Sequence, residues 1–187
     1  TFRNGIMRLQ VDSPYARHGT GARRIDGTPT ALTLHQGELY VGGGEGLWRR
    51  DRAGEFHAIQ DVPHYVRSLV SLEERLYVTG IDFRRVEPGD RTALLGSIYH
   101  GLVAVSTAPG FVVHGSNQGL LLDRVTDGTW TPAGRVEKTG GPMTALHEYP
   151  AGVVWAAHHT TGLWRVDFRG GVRPDATVKN YRSAEGV

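Results

Sequence analysis

The sequence contains no cysteine and almost no lysine. The first absence excludes disulfides and thiolate metal sites, and it leaves the redox compartment open. The positive charge rests on 19 arginines with only Lys138 and Lys179 beside them, and 19 acidic residues bring the net charge to +2. Because this charge is small and forms no Lys/Arg run, it does not predict a nucleic-acid partner.

Long apolar runs are also missing, since no stretch approaches the roughly 20 residues of a membrane-spanning helix. The sequence therefore predicts a soluble protein without membrane insertion. The compartment stays open, and the bacterial periplasm, the extracellular space and the cytoplasm all fit.

Glycine, by contrast, is abundant. The chain has 26 glycines and 9 prolines dispersed over 187 residues, with 39% hydrophobic residues. This composition is typical of many short strands joined by tight turns, and it predicts an all-β fold.

A short unit repeats along the chain. Leu39-Tyr40-Val41 reads as a strand, the glycine-rich stretch 42–46 as a turn, and Leu47-Trp48-Arg49 as the returning strand. Counterparts of the first of these strands begin at Leu76, Phe111 and Val153, at spacings of 35 to 42 residues. Each is preceded by an apolar strand and followed by more polar sequence.

Four short antiparallel strands per repeat predict the blade of a β-propeller, since one twisted sheet cannot bury both faces alone. We predict four four-stranded blades and an N-terminal half-blade that contains Gly5-Ile6-Met7-Arg8. We interpret the chain as one propeller domain or segment, which is part of a larger propeller or completed into one. The predicted boundaries are 2–28 for the half-blade and 29–62, 63–101, 102–138 and 139–182 for the blades.

The repeated Leu-Tyr-Val-Gly strand and the Gly-Leu-Trp-Arg return at 46–49 and 162–165 resemble bacterial propellers of the two-component regulator type. Asp127-Gly128-Thr129-Trp130 is also similar to a degenerate Asp-box turn of the sialidase-like and photosystem-assembly-factor propellers. These families include sensor domains, assembly factors, lyases and glycosidases, so the resemblance implies a fold and leaves the activity open.

In such propellers, ligands usually bind where the loops between blades meet the loops between second and third strands. The resemblance therefore implies a binding face rich in imidazoles, amides and hydroxyls, which suit a polar ligand. The alternative is that some of these residues occur there only because turns favour such residue types. The candidate ligand-binding residues are Glu45, His64, Tyr65, His100, Asn117, Gln118, His158, His159 and Thr160.

The adjacent pair His158 and His159 provides the candidates for catalysis. Neighbours on a strand point to opposite faces and no third ligand stands nearby, so the sequence predicts neither a metal site nor a cofactor. One of the two could act as a general base at the channel mouth, as in propeller lyases. No Gly-x-Ser-x-Gly elbow, phosphate loop or Rossmann fingerprint is present.

Three functions remain open. The favoured hypothesis is a non-enzymatic module that recognises a protein or a small polar ligand through its loop face, as a piece of a larger sensor, effector or assembly protein. The second is a propeller lyase or hydrolase that uses the channel-mouth histidine. The third is a structural segment that self-associates or is completed by another chain through its open blade edges.

Overall fold

The computed structural model describes residues 6–8, 16–18, 25, 27–62, 64–97 and 100–182. All regular structure in this part of the chain is β-strand. No helix able to cross a membrane occurs among these residues. The chain divides into two compact units, residues 1–97 and 98–187.

The first unit contains two complete four-stranded sheets and one strand pair. The pair consists of β1 (Ile6–Arg8) and β2 (Ala16–His18). The first sheet has β3 (Pro29–His35), β4 (Glu38–Gly43), β5 (Gly46–Arg50) and β6 (Phe56–Ala58). The second has β7 (Ser68–Leu72), β8 (Arg75–Thr79), β9 (Asp82–Glu87) and β10 (Arg91–Ser97).

The second unit contains two further sheets. One has β11 (Gly101–Ala104), β12 (Phe111–Ser116), β13 (Gly119–Thr126) and β14 (Thr129–Arg135). The other has β15 (Met143–Glu148), β16 (Val153–His158), β17 (Gly162–Asp167) and β18 (Thr177–Tyr181).

In each of these four sheets, consecutive strands pair in sequence order and run antiparallel. This is the strand arrangement of propeller blades, and the predicted all-β propeller with four four-stranded blades is confirmed. We number the blades one to four along the chain. The structure describes only part of the predicted half-blade, namely β1, β2, Ile25 and residues 27–28. The rest of it, including Gly5, lies outside the described residues, and so does Pro63.

Each unit has an apolar core between its two blades. In the first unit, Tyr40 and Leu47 of blade one pack with Leu76 and Val78 of blade two. Gly42 permits this approach, because a Cβ at that position would lie 2.3 Å from Val66 Cγ1. The glycines of the repeated motif therefore bring the blades together as well as allowing turns.

The core of the second unit is larger. Val113, Leu120 and Leu122 of blade three pack with Val154 and Val166 of blade four. Gly115 has a role like that of Gly42, since a Cβ there would lie 2.3 Å from the carbonyl oxygen of Met143. The start of β15 is thus held directly against the end of β12.

Candidate functional site

The turns of the blades alternate between two ends, because consecutive strands run antiparallel. In the first unit, one end carries the β4–β5 turn, the β6–β7 connection and the β8–β9 turn. We call it the loop end of that unit. It contains three of the predicted ligand-binding residues, which are Glu45, His64 and Tyr65.

Glu45, His64 and Tyr65 form an exposed cluster. His64 Nδ1 lies 3.7 Å from Glu45 Oε2, with the two side chains 80% and 58% exposed. Tyr65 is 48% exposed, and its backbone N–H donates to the carbonyl oxygen of Gly44 at 3.0 Å. The backbone bond ties the β6–β7 connection to the β4–β5 turn, while the three side chains remain accessible to a partner.

The position of Tyr65 depends on local backbone geometry. Tyr65 has a φ of 79°, in the left-handed region that non-glycine residues rarely occupy. On the blade-two side, a Cβ at Gly80 would lie 2.3 Å from the Tyr65 carbonyl oxygen, so only glycine fits there. A bulky aromatic residue held in this conformation is a feature that often accompanies a functional surface.

Two charged residues near this cluster, Arg67 and Arg84, were missed by the sequence analysis. The Arg67 guanidinium lies over the Tyr65 ring, 5.0 Å from its centroid, in cation–π geometry. Asp82 and Arg84 line the same shallow recess as Tyr65 and are joined by a 2.9 Å hydrogen bond from Arg84 Nη2. The available signal was their position beside the predicted loops, because Arg67 lies in the β6–β7 connection and Arg84 in β9.

In the second unit, the structure brings His100 and Asn117 together. His100 Nε2 lies 2.8 Å from Asn117 Oδ1. The backbone N–H of His100 donates to the Gly115 carbonyl oxygen at 3.1 Å. Gln118 follows in the same β12–β13 turn, where its N–H donates to Ser116 Oγ at 3.0 Å. The Gln118 side chain is exposed at the tip of this turn.

His158, His159 and Thr160 lie at the β16–β17 turn. His158 Nδ1 accepts hydrogen bonds from the N–H groups of Thr160 and Thr161, both at 3.0 Å. The His159 N–H donates to the Pro142 carbonyl oxygen at 3.2 Å, and its side chain is exposed. The predicted residues of this turn are therefore organised mainly around the His158 ring.

The hydrogen bonds of His158 bear on its suitability as a general base. Because backbone N–H groups only donate, Nδ1 is the unprotonated nitrogen, and a neutral ring carries its proton on Nε2. The ring packs on Gly141, where a Cβ would lie 2.3 Å from Nε2. Neutral His158 thus offers no free lone pair for proton abstraction, and this geometry favours a role in shaping the turn.

Metal binding receives no support from the described residues. Among them, no group of three or more His, Asp or Glu side chains is placed to hold an ion. In the second unit, His100 contacts the Asn117 amide, His158 accepts backbone N–H groups, and His114 contacts the Asp123 carboxylate.

The sequence analysis also missed a recess at the other end of the first unit, opposite its loop end. This recess, the outer cleft, has a volume of about 550 Å³. It is formed by the β3–β4, β7–β8 and β9–β10 turns and the strands beside them. Its lining residues are His35, Gln36, Tyr40, Glu74, Arg75, Leu76, Arg85, Val86, Glu87 and Pro88.

Comparison with solved structures identifies similar folds. The extracellular domain of the putative one component system BT4673 from B. thetaiotaomicron matches 95% of this chain with a TM-score of 0.70 and 13% identity. That of the putative hybrid two component system BT3049 from the same organism matches 90% with a TM-score of 0.67 and 14% identity. The computationally designed Ika4 protein matches 84% with a TM-score of 0.54 and 14% identity.

No protein-family model and no curated protein matches the sequence. The chain spans 25% and 24% of the two extracellular domains and 92% of the Ika4 protein. At identities this low, the similarity concerns the fold alone. The chain therefore has a propeller fold that is also found in extracellular regions of bacterial sensor systems.

Proposed function

We propose that this chain is a binding module that recognises a protein or a small polar ligand through the loop end of its first unit. It would act within a larger sensor, effector or assembly protein of the two-component regulator propeller type. The observation that carries the proposal is the exposed cluster of Glu45, His64 and Tyr65 beside Arg67. These side chains combine a carboxylate, an imidazole, a cation and an aromatic surface within one unit.

The chemistry of this cluster suits recognition. An exposed tyrosine supplies a large contact area with few rotatable bonds, and such residues often dominate the binding energy of an interface. Glu45 and His64 are 3.7 Å apart, beyond a direct hydrogen bond, so each can turn toward a ligand at little cost. The backbone bond between Tyr65 and Gly44 pre-organises the surface and reduces the entropy lost on binding.

A library selection tests the proposal. Displayed peptides and a collection of polar metabolites are screened against the whole chain, and the binders are then measured by calorimetry. The triple variant Glu45→Gln, His64→Ala, Tyr65→Ala is expected to weaken them by about tenfold or more, as for loss of a central aromatic anchor.

Arg52→Gln provides the matched control, because Arg52 is exposed in the β5–β6 turn at the other end of blade one. The control should bind like the wild type. A screen in which every binder tolerates the triple variant unchanged, or a screen without binders, would count against this loop end as the recognition surface.

A further inference from the structure

The outer cleft has the dimensions of a small-molecule site. Its volume of about 550 Å³ lies within the roughly 300–1,000 Å³ that is usual for ligand pockets. All of its lining residues belong to the first unit, and none of them was a predicted ligand-binding residue. The cleft is thus a second candidate site, independent of the loop-end cluster.

Two rings form the neutral part of this cleft. His35 and Tyr40 meet edge to face, with ring centroids 6.0 Å apart, and both residues are largely buried. His35 Nδ1 lies 2.8 Å from Ser71 Oγ, which fixes the ring between the two blades. Burial lowers the pKa of His35 below its ordinary value of 6.5, so the imidazole is neutral at pH 7. Together the rings provide an uncharged surface for the body of a ligand.

The remaining lining residues carry charges of both signs. Arg85 Nε donates to Glu87 Oε1 at 2.7 Å, so these two charges already satisfy each other. Within the described part of the chain, Arg75 pairs with the Glu73 carboxylate, and the 3.7 Å between Nη1 and Oε2 is too long for a hydrogen bond. Among the described residues, none is in hydrogen-bond contact with the Glu74 carboxylate. The cleft therefore offers one available cation and one available anion on adjacent residues.

The backbone at Glu74 supports a role for this residue. Glu73 and Glu74 form the two-residue β7–β8 turn with φ values of 48° and 59°. The comparable turns Gln36-Gly37 and Asp127-Gly128 have glycine at the second position, where a positive φ is cheapest. A glutamate at this position costs folding energy, and such retained strain is often linked to function.

We propose that the outer cleft binds a zwitterionic ligand of the size of an amino acid or a dipeptide. The Arg75 guanidinium would bind the ligand carboxylate, since two of its N–H donors can bind a carboxylate bidentately. The Glu74 carboxylate would bind the ligand ammonium group. His35 and Tyr40 would contact the uncharged part of the ligand. Because the lining charges cancel, a ligand with both signs complements the cleft better than a simple anion or cation.

Calorimetric titration of the whole chain tests this assignment. The probes are the standard amino acids and a set of free dipeptides, each dipeptide compared with its N-acetylated and its C-amidated form. At least one free probe is expected to bind, and each capping reaction should weaken it by about tenfold or more through loss of a charge-assisted hydrogen bond. Arg75→Gln and Glu74→Gln should weaken it similarly, whereas Arg52→Gln should leave it unchanged.

The result is decisive in either direction. Capped dipeptides that bind as tightly as free ones, variants that bind like the wild type, or no binding of any free probe at millimolar concentration would overturn the proposal. Melting curves of both variants verify that they are folded. Should one fail to fold, the comparison of free with capped probes on the unaltered chain still decides. The loop-end triple variant should bind these probes normally, which separates this proposal from the preceding one.

Discussion

Blades one and two form one interface, within the first unit, and blades three and four form another, within the second. Both interfaces are built from the same repeated motif, but their side chains differ in chemistry. Between blades three and four, the described residues form a core cluster of eleven buried side chains. Between blades one and two, the corresponding cluster has six, and polar side chains complete the contact. The outer cleft lies beside this second, more polar interface. The repeat motif thus specifies the blade, while the residues around it decide whether an interface is filled or leaves a recess.

One position of the repeat illustrates this difference. Arg49 and Leu122 both stand three residues after the glycine that begins the third strand of their blade. Arg49 donates to both oxygens of Glu38 at 3.0 Å, and to the two oxygens of Asp90 at 2.8 and 2.9 Å. Leu122 is buried in the core of the second unit. A guanidinium therefore ties blade one to blade two where an aliphatic side chain joins blades three and four.

The largest expected effect concerns this aliphatic position. Leu122→Ala removes a fully buried side chain and leaves a cavity, so we expect the free energy of unfolding to fall by about 3–4 kcal/mol. Urea denaturation followed by circular dichroism measures the loss. Arg49→Leu in the first unit is the matched comparison and should cost less, because its partly exposed ion pairs contribute modestly. Equal losses would show that the two interfaces do not differ in the way proposed.

A buried contact between a histidine and an aspartate within blade three gives the next largest effect. His114 Nε2 lies 2.9 Å from Asp123 Oδ2, and the two residues are 5% and 6% exposed. Asp123→Leu leaves the imidazole against an apolar surface and should cost about 2–3 kcal/mol. The double variant His114→Leu, Asp123→Leu should be more stable than Asp123→Leu alone. A double-mutant cycle in urea measures the coupling, and strictly additive losses would contradict it.

The polar interface of the first unit predicts a pH-dependent effect. The Arg49 guanidinium holds the pKa of Asp90 below its ordinary value of 3.8. A carboxyl group whose folded pKa is lowered stabilises the protein above its unfolded pKa, and this contribution is lost as the pH falls through the folded value. Asp90→Asn should therefore cost about 1 kcal/mol near pH 6, after allowance for solvent screening. The difference from the wild type should shrink as the pH falls below about 4.

Thermal melting at a series of pH values measures this dependence. Arg173→Gln serves as the control, because its partner Asp175 is well exposed and the pair lies in the second unit. A gap between Asp90→Asn and the wild type that stays constant down to pH 2 would contradict the assignment to this carboxylate.

Much of the fold could be predicted from the sequence, since alternating strands and glycine-rich turns are local signals. Leu39-Tyr40-Val41 and its counterparts at Leu76, Phe111 and Val153 all lie in second strands of four-stranded sheets. The fourth strand of blade three extends to Arg135, and a register shift between Leu122 and Asp123 accommodates one extra residue, Ala133, opposite them.

The sites were less predictable than the strands. Glu45, His64 and Tyr65 could be grouped because antiparallel strands bring their loops to one end. The outer cleft could not, since it depends on how the turn at Gln36 meets the turn at Glu74 across two blades. The only local sequence signal for the outer cleft was the Glu73-Glu74 turn, which lacks glycine.

We expect the smallest effect at the β7–β8 turn, which contains Glu73 and Glu74. The β3–β4 turn of blade one is its matched comparison. Glu74→Gly should raise the stability by about 0.5–1 kcal/mol, because glycine adopts the φ of 59° at little cost. Gly37→Glu places the same residue at the equivalent position of the β3–β4 turn and should lower the stability by a similar amount. A Cβ at Gly37 meets no atom within 4 Å, so the loss would reflect backbone conformation alone. Differential scanning calorimetry measures both shifts. If Glu74→Gly destabilises the chain instead, the Glu74 side chain contributes to folding, and the strain at this turn is no argument for a ligand in the outer cleft.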